Sequence, residues 1–366
     1  MKSSMFMRRC SLLRTPIIAV AILLVLTNLS GCARVPSPTP PAATVPTNDQ
    51  SLTEDEIATL TSLVRLDDYP LYSMRYQGEY AFPVISETGQ VRNERATLGQ
   101  SWGCALFAAL GDPQQRLYGR NFDWNYSPAL LLFTDPPDGY ASVSMVDMEY
   151  LGFEPQQLTQ LSDLTLEERR PLLYAPALPF DGMNEMGVAV GMAAVPPGDM
   201  RPNSQKQTVG ELGVIRLILD QAASVDEAVK ILGSYNIDMG EVPLHYLIAS
   251  ISGDSVLVEF FQGEMHVFQN EVPWQLATNF LVAGTDGQTQ GQCLRYDHIS
   301  QRLEELEGRS TVGEALRILD EVSQGNSGSE TSTQWSVVYD MGSGEVHIVM
   351  GQEYSSGAQV LKLDGK

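Results

Sequence analysis

Trp102-Gly103-Cys104-Ala105-Leu106-Phe107 sets a cysteine directly behind a glycine, at the head of an apolar strand-like run. Sixteen residues after that cysteine, Arg120 opens a charged cluster inside Gly119-Arg120-Asn121-Phe122-Asp123-Trp124. Each residue has an ordinary structural reading. A free cysteine is often a small buried hydrophobe, Arg120 and Asp123 fit a strand-end ion pair, and Asn279 in Ala277-Thr278-Asn279 fits a turn. A reactive thiol is the sharper reading, because cysteine is scarce. Cys10 and Cys32 lie near the N-terminus, leaving only Cys104 and Cys293 for the folded part. Two thiols make no disulfide framework. One Cys104–Cys293 bridge is the alternative to a free nucleophile, and Cys293 by itself reads as a structural thiol.

Taken in order, four features resemble the choloylglycine hydrolase and penicillin V acylase group of N-terminal-nucleophile hydrolases. They are Cys104, the Arg120-Asn121-Phe122-Asp123 cluster, Gly182-Met183-Asn184-Glu185-Met186-Gly187 and Thr278-Asn279. The group includes linear amide hydrolases, acid amidases and the acyltransferase that acts on 6-aminopenicillanic acid. The similarity runs over nearly all of residues 70 to 350. It implies a four-layer αββα sandwich of two antiparallel sheets, and a hydrolase of linear, non-peptide carboxamides working through a thioester on Cys104. It also implies self-cleavage at Gly103–Cys104, so that Cys104 becomes an N-terminus. Asp123 then matches the carboxylate that orients the new amine, Arg120 the cation beside the thiol, and Asn279 the side-chain amide that binds the oxyanion. Arg295, in Cys293-Leu294-Arg295-Tyr296, matches the late arginine of the network. One departure stands out. After Gly191-Met192, bile-salt-cleaving members carry an asparagine, and here Ala193 leaves only its backbone N–H as a second oxyanion donor. Asn184 is read as a hairpin residue, since Gly-x-Asn-x-x-Gly is explained by turn chemistry.

The chemistry stands beside that resemblance. Amide cleavage needs a nucleophile, a base, an oxyanion site and protonation of the leaving amine. A free thiol has a pKa of ~8.5 and an α-amino group ~7.7–8.0. An N-terminal cysteine supplies both nucleophile and base, the latter titrating near working pH. No histidine is required, and His245, His266, His298 and His347 lie in no cysteine-hydrolase motif. Neither cofactor nor metal is called for, and no glycine-rich phosphate loop opens a βαβ unit.

The N-terminus reads as an export signal over residues 1–31. Lys2, Arg8, Arg9 and Arg14 precede the apolar run Ile17 to Leu26, which falls short of the ~20 residues of a membrane-spanning helix. It ends in Leu29-Ser30-Gly31-Cys32, which resembles a bacterial lipobox with Cys32 as the lipidated residue. Residues 32–50 are rich in proline and threonine and read as an extended tether. The expectation is an extracytoplasmic, membrane-anchored lipoprotein. The formal charge is −22. Removing the signal takes away four positive charges and no acidic ones, leaving about −26. Such acidity argues against nucleic acid and against a polybasic membrane patch.

Residues 51–103 read as a propeptide, opening with an amphipathic helix from Ser51 to about Arg65. Ser51 and Glu54 are its expected capping box, with Ile57, Leu60 and Val64 on one face. Residues 104–366 read as the catalytic domain. Its strands are expected at 105–110, 116–121, 130–133, 140–146, 188–195, 243–251, 255–261, 264–268, 334–339 and 345–350. Helices are expected at 212–221, from Ser224 through Leu232, at 294–306 and at 312–322. This alternation implies two sheets with helical layers outside them. The implied partner is a small amide with an apolar acyl group, the propeptide being retained non-covalently if its helix stays docked. The same residues also serve acyl transfer to an amine acceptor. The alternative from another class is a ligand-binding lipoprotein without turnover.

Overall fold

The structure, a computed structural model, describes residues 51–80, 84–85, 103–158, 160–198, 201–240, 242–325 and 332–363. The expected signal, Cys32, the tether and most of residues 81–102 lie outside the described residues. All that is described falls in one compact unit, Ser51–Lys366.

Helix α1 (Glu54–Thr61) leads into strands β1 (Val64–Asp67), β2 (Leu71–Arg75) and β3 (Val84–Ile85). From the cysteine onward come β4 (Gly103–Ala109), β5 (Leu117–Trp124), β6 (Ala129–Thr134), β7 (Ser142–Asp147), the short α2 (Pro155–Leu158), β8 (Asp181–Asn184) and β9 (Val188–Ala194). Next are β10 (Thr208–Gly210), α3 (Glu211–Gln221), α4 (Val225–Ser234), β11 (Asn236–Asp238), β12 (Leu244–Ser250), β13 (Ser255–Phe261), β14 (Glu264–Gln269) and β15 (Trp274–Ala277). The chain closes with α5 (Leu294–Glu305), α6 (Val312–Glu321), β16 (Ser332–Asp340), β17 (Glu345–Met350) and β18 (Gln359–Lys362).

Two large sheets stack face to face. One has nine strands in the order β1-β2-β6-β7-β8-β9-β12-β13-β14, and the other has six in the order β15-β4-β5-β16-β17-β18. Helices α3 and α4 cover the outer face of the first, and α5 and α6 that of the second. This is the mixed architecture of an αββα sandwich. The pairing is antiparallel except where β2 runs parallel to β6 and, in a small third sheet, β10 to β11. The sheets approach closely where β4 faces β9. A Cβ on Gly191 would lie 2.8 Å from Leu106 and 2.9 Å from the Tyr118 hydroxyl, so only glycine fits there.

Strand periodicity decides what each residue of β4 and β5 does. Cys104, Leu106 and Ala108 join the core between the sheets, whereas Ala105, Phe107 and Ala109 pack under α5 and α6 with Ile299, Leu303 and Ile318. On β5, Tyr118 and Phe122 face inward, while Asn121 turns outward to donate to the Leu319 carbonyl of α6.

The segment ahead of Cys104 is woven into the large sheet. β1 and β2 form its edge, and Leu60, Leu71, Tyr72 and Met74 are fully buried. The amphipathic helix is shorter than expected. It is capped by Thr53 and Glu56 in place of Ser51 and Glu54, and it stops at Ser62. Val64 leaves the helix to pair with Ser73 as an edge strand, so Ile57 and Val64 are exposed and Leu60 alone of the three is buried. Asn184 is structural: its amide donates to the carbonyls of Leu219 and Ala222, and its Oδ1 accepts from Val188 N–H.

Asp147 ends β7 with its Oδ1 accepting from the Ser127 hydroxyl and the Glu149 N–H. Its other oxygen is buried without a partner, and burial pushes its pKa up to about 7. Unfolded, the carboxyl titrates near ~3.9, so the fold holds the proton more tightly than the open chain. The stability this contributes is full below about pH 4 and is lost as pH rises through about 7, on the order of 4 kcal/mol. Asp147→Asn is expected to flatten that fall, read by urea unfolding at pH 4, 5.5 and 7. An unchanged slope would mean that Asp147 ionises freely in the fold.

Candidate active site

The pleat that orients β4 and β5 divides the charged cluster in two. Cys104 lies opposite Phe122, Gly103 opposite Asp123, and Leu106 opposite Arg120. Arg120 therefore reaches the thiol between the sheets, while Asp123 emerges on the helical side beside Gly103 at the start of β4. Arg120 Nη2 donates to Cys104 Sγ at 3.8 Å. Burial pushes the thiol pKa up, and the Arg120 charge pulls against it.

Arg120 is itself fully buried and is fixed by Asp181. Its Nη1 donates to Asp181 Oδ2 and to the Phe180 carbonyl, each at 2.5 Å. The Tyr339 hydroxyl donates to the other Asp181 oxygen at 2.5 Å. Asp181 is a carboxylate the sequence does not flag. Its only signal is an acidic residue set between apolar Phe180 and a Gly-x-Asn hairpin.

Asp123, 4 % exposed, anchors the second half of the site. Arg295 Nη1 donates to Asp123 Oδ2 at 2.9 Å, and Arg295 Nη2 to Asn279 Oδ1 at 2.5 Å. The same Asn279 oxygen accepts the Cys104 N–H at 2.9 Å. Arg120, Cys104, Asn279, Arg295 and Asp123 thus form one hydrogen-bonded chain, though they come from two strands, a loop and a helix. Burial pushes the Asp123 carboxyl up, and Arg295 most strongly opposes it. Two further residues hold it. The Thr333 hydroxyl donates to Oδ1 at 2.5 Å and Gln324 Nε2 to Oδ2 at 2.8 Å. Both were missed because an isolated glutamine and threonine carry no motif. Gln324 also explains the glycine before the nucleophile, since a Cβ on Gly103 would sit 2.0 Å from its Nε2.

The Ala193 N–H, expected as the second oxyanion donor, faces β12. Val195 N–H donates to the Pro243 carbonyl, and Ile251 N–H to that of Gly187. Between those two bonds β9 pairs with β12 in unbroken register, Ala193 lying opposite His245. Odd-numbered residues of β9 therefore spend their backbone groups on β12, and Ala193 N–H goes to His245. The peptide groups of Ala194 point the other way, and its carbonyl accepts from Asn279 Nδ2 at 2.8 Å. The N–H on the Asn279 side is that of Ala194.

Beside the thiol lies a small apolar cleft that opens to solvent. Phe122, Trp124, Tyr150 and Phe180 give it aromatic walls, with Met192, Ala193, Ala194 and Leu244 opposite. Cys104 and Cys293 are both free, so the alternative bridge is absent. No group of side chains suited to a metal ion occurs among the described residues.

Residues 104–279 match the family of linear amide C–N hydrolases, choloylglycine hydrolase family. The chain is a homologue of the choloylglycine hydrolase group. That makes it a hydrolase acting on carbon–nitrogen bonds other than peptide bonds, and a buried Cys104 within the matched region is consistent with a cysteine nucleophile. No curated protein sequence matches the chain. Among solved structures it is similar to a cysteine-to-alanine mutant of the conjugated bile acid hydrolase from Clostridium perfringens. The TM-score is 0.52 at 16% identity, covering 72% of this chain and 93% of that one. An arginine-to-leucine variant of the same enzyme gives the same values. Penicillin V acylase from Agrobacterium tumefaciens follows at a TM-score of 0.48 and 17% identity, covering 70% of this chain and 84% of that one. At these identities the bile acid hydrolase likeness is one of fold.

Proposed function

We propose that this hydrolase is an N-terminal-nucleophile amidase that makes its own active site by cutting Gly103–Cys104. The observation that carries the reading is the position of the Cys104 nitrogen. It is hydrogen-bonded to Asn279 and linked through Arg295 to Asp123, while Arg120 attends the sulfur of the same residue. In the precursor the thiol adds to the Gly103 carbonyl. The carbon–sulfur bond forms, the carbon–nitrogen bond breaks, and the thiol proton passes to the Cys104 amine. Water then hydrolyses the thioester, leaving a Gly103 carboxylate and a free thiol.

In turnover the new amine takes the thiol proton, and the thiolate attacks the substrate carbonyl. The free hydrogen of Asn279 Nδ2 and the Ala194 N–H bind the oxyanion, each such donor being worth roughly 3–4 kcal/mol. Collapse returns the proton to the leaving amine and leaves a thioester on Cys104. Water, deprotonated by the same amine, releases the acid.

The aromatic cleft favours a compact, flat acyl group over a bulky fused-ring one. Fully burying a leucine or methionine side chain is worth roughly 1.5–3 kcal/mol. Leu60, Leu71 and Met74, together with the β2–β6 ladder, would therefore keep the severed N-terminal segment in place. With Cys32 lipidated, that segment would tether the enzyme to an extracytoplasmic membrane face without a bond to the catalytic chain.

The test is mass spectrometry of purified protein under native and denaturing conditions, followed by an amide panel of aryl-acetyl, straight-chain and steroid acyl groups. The expected result is two chains, the larger beginning at Cys104, co-migrating natively and separating in denaturant, with turnover of aryl-acetyl amides. An uncut chain that turns over amides would refute self-processing. Loss of the smaller chain on native purification would refute retention.

A further inference from the structure

His245 and Glu259 form a fully buried pair between the sheets that the chemistry above does not use. They lie directly opposite one another on β12 and β13, with His245 Nδ1 3.1 Å from Glu259 Oε1 and side-chain exposures of 1% and 0%. A buried carboxylate is tolerated where its oxygens are filled with donors, and here the donors come from one place. Oε1 accepts the Val282 N–H at 2.9 Å and Oε2 the Ala283 N–H at 2.8 Å. Glu259 therefore closes on the turn Val282–Gly284, three residues beyond Asn279. With both oxygens accepting, the network puts the shared proton on His245 Nδ1. His245 Nε2 is buried and has no partner.

The pair touches both halves of the oxyanion site. Glu259 grips the chain that carries Asn279, which is also pinned by Phe280 packed edge-on against Tyr296 at 5.1 Å. His245 stands opposite Ala193 in the ladder that orients the neighbouring Ala194 N–H. Asn279 Nδ2 already spends one hydrogen on the Ala194 carbonyl. A small displacement of the 279–284 segment would therefore carry the second hydrogen out of line. Misplacement by about 1 Å can cost a hundredfold in rate.

We infer that Glu259, held by His245, is the positioning residue of the oxyanion site, setting Asn279 against Ala194 without itself touching substrate. The inference rests on the amidase reading above. Its test compares wild type, Glu259→Gln, His245→Leu, His245→Asn and the Glu259→Gln/His245→Leu double variant. The readouts are kcat and KM on the best-cleaved amide of the panel, and the rate of Cys104 alkylation by iodoacetamide, which needs no oxyanion site.

Glu259→Gln turns one acceptor into a donor facing the Val282 or Ala283 N–H. It is expected to lower kcat on the order of tenfold to a hundredfold, with KM and alkylation within about twofold of wild type. His245→Leu is expected to fall by a similar factor. His245→Asn, whose amide can donate from near the Nδ1 position, should recover most of that loss. The double variant should be no worse than the poorer single one, since both act through one contact. Parallel falls in kcat and alkylation would show a general collapse of the site and overturn the inference, as would an unchanged kcat in Glu259→Gln. A wild-type protein that turns over no amide at all would instead remove the amidase reading itself, and the positioning role with it.

Discussion

Cys104→Ala protein is expected to accumulate as a single uncut chain and to lose amide turnover by roughly 10^6-fold, the scale seen when a covalent nucleophile is removed. On the proposed mechanism the two losses coincide, because one sulfur would perform both reactions. The substitution removes one sulfur from a packed interior, and the fold is expected to survive it. Cys104 already sits on a strand whose neighbours are Gly103 and Ala105, and the adjoining Leu106, Phe122 and Met192 keep their own contacts. A melting temperature close to that of the wild type would certify that inactivity is chemical. The decisive measurement is the N-terminal sequence beside the intact mass. Cleavage of the alanine variant at the same bond would assign processing to another protease, and residual activity near wild type would assign catalysis to another group. No histidine is placed to be that group. His245 bonds to Glu259, His266 to the Phe261 carbonyl and His298 to Glu321, while His347 pairs with Glu345.

The closeness of Arg120 and Asp123 to Cys104 follows from backbone spacing. Cys104 and Arg120 lie on adjacent antiparallel strands, so a separation of sixteen residues is the sum of two short strands and a turn. Asp123, three places after Arg120, falls on the opposite face of the same strand. That places it on the backbone-nitrogen side of Cys104 and away from the sulfur. Asn279 and Arg295 were legible only through the family likeness, since a Thr-Asn pair and a helical arginine are common.

What the sequence hid was whatever depends on pairing between distant strands. Asp181 matters because β8 lies across the sandwich from β5, and nothing local announces that. Gln324 and Thr333 hold Asp123 because they are bonded to each other at the entrance to β16. The direction in which the Ala193 and Ala194 N–H groups point has the same origin. Which of two successive N–H groups is free depends on the ladder parity between β9 and β12, and sequence does not encode parity. Strands β2 and β15 were missed for a related reason. They are short, at four or five residues, and owe their existence to partners β6 and β4.

Arg120→Met should separate the two duties of the buried guanidinium. The first is structural. Removing Arg120 leaves the Asp181 carboxylate buried without its cation, though the Tyr339 hydroxyl still donates to it. Breaking one partner out of a buried ion pair typically costs about 3–5 kcal/mol. The second is chemical. Burial already holds the Cys104 thiol above its ordinary pKa, and Arg120 is the leading influence in the opposite direction. Its removal must raise the thiol pKa further, so the pH at which iodoacetamide reactivity reaches half-maximum moves upward, each unit lowering the neutral-pH rate about tenfold. The companion Asp181→Asn change in the same chain should return much of the lost stability, because no unpaired charge remains, while leaving the reactivity profile shifted. Stability and reactivity would then be seen to part company at one residue. If the alkylation profile of Arg120→Met overlaid the wild type, the guanidinium would be a core strut for Asp181 alone, and the thiolate would have to be generated by the N-terminal amine unaided.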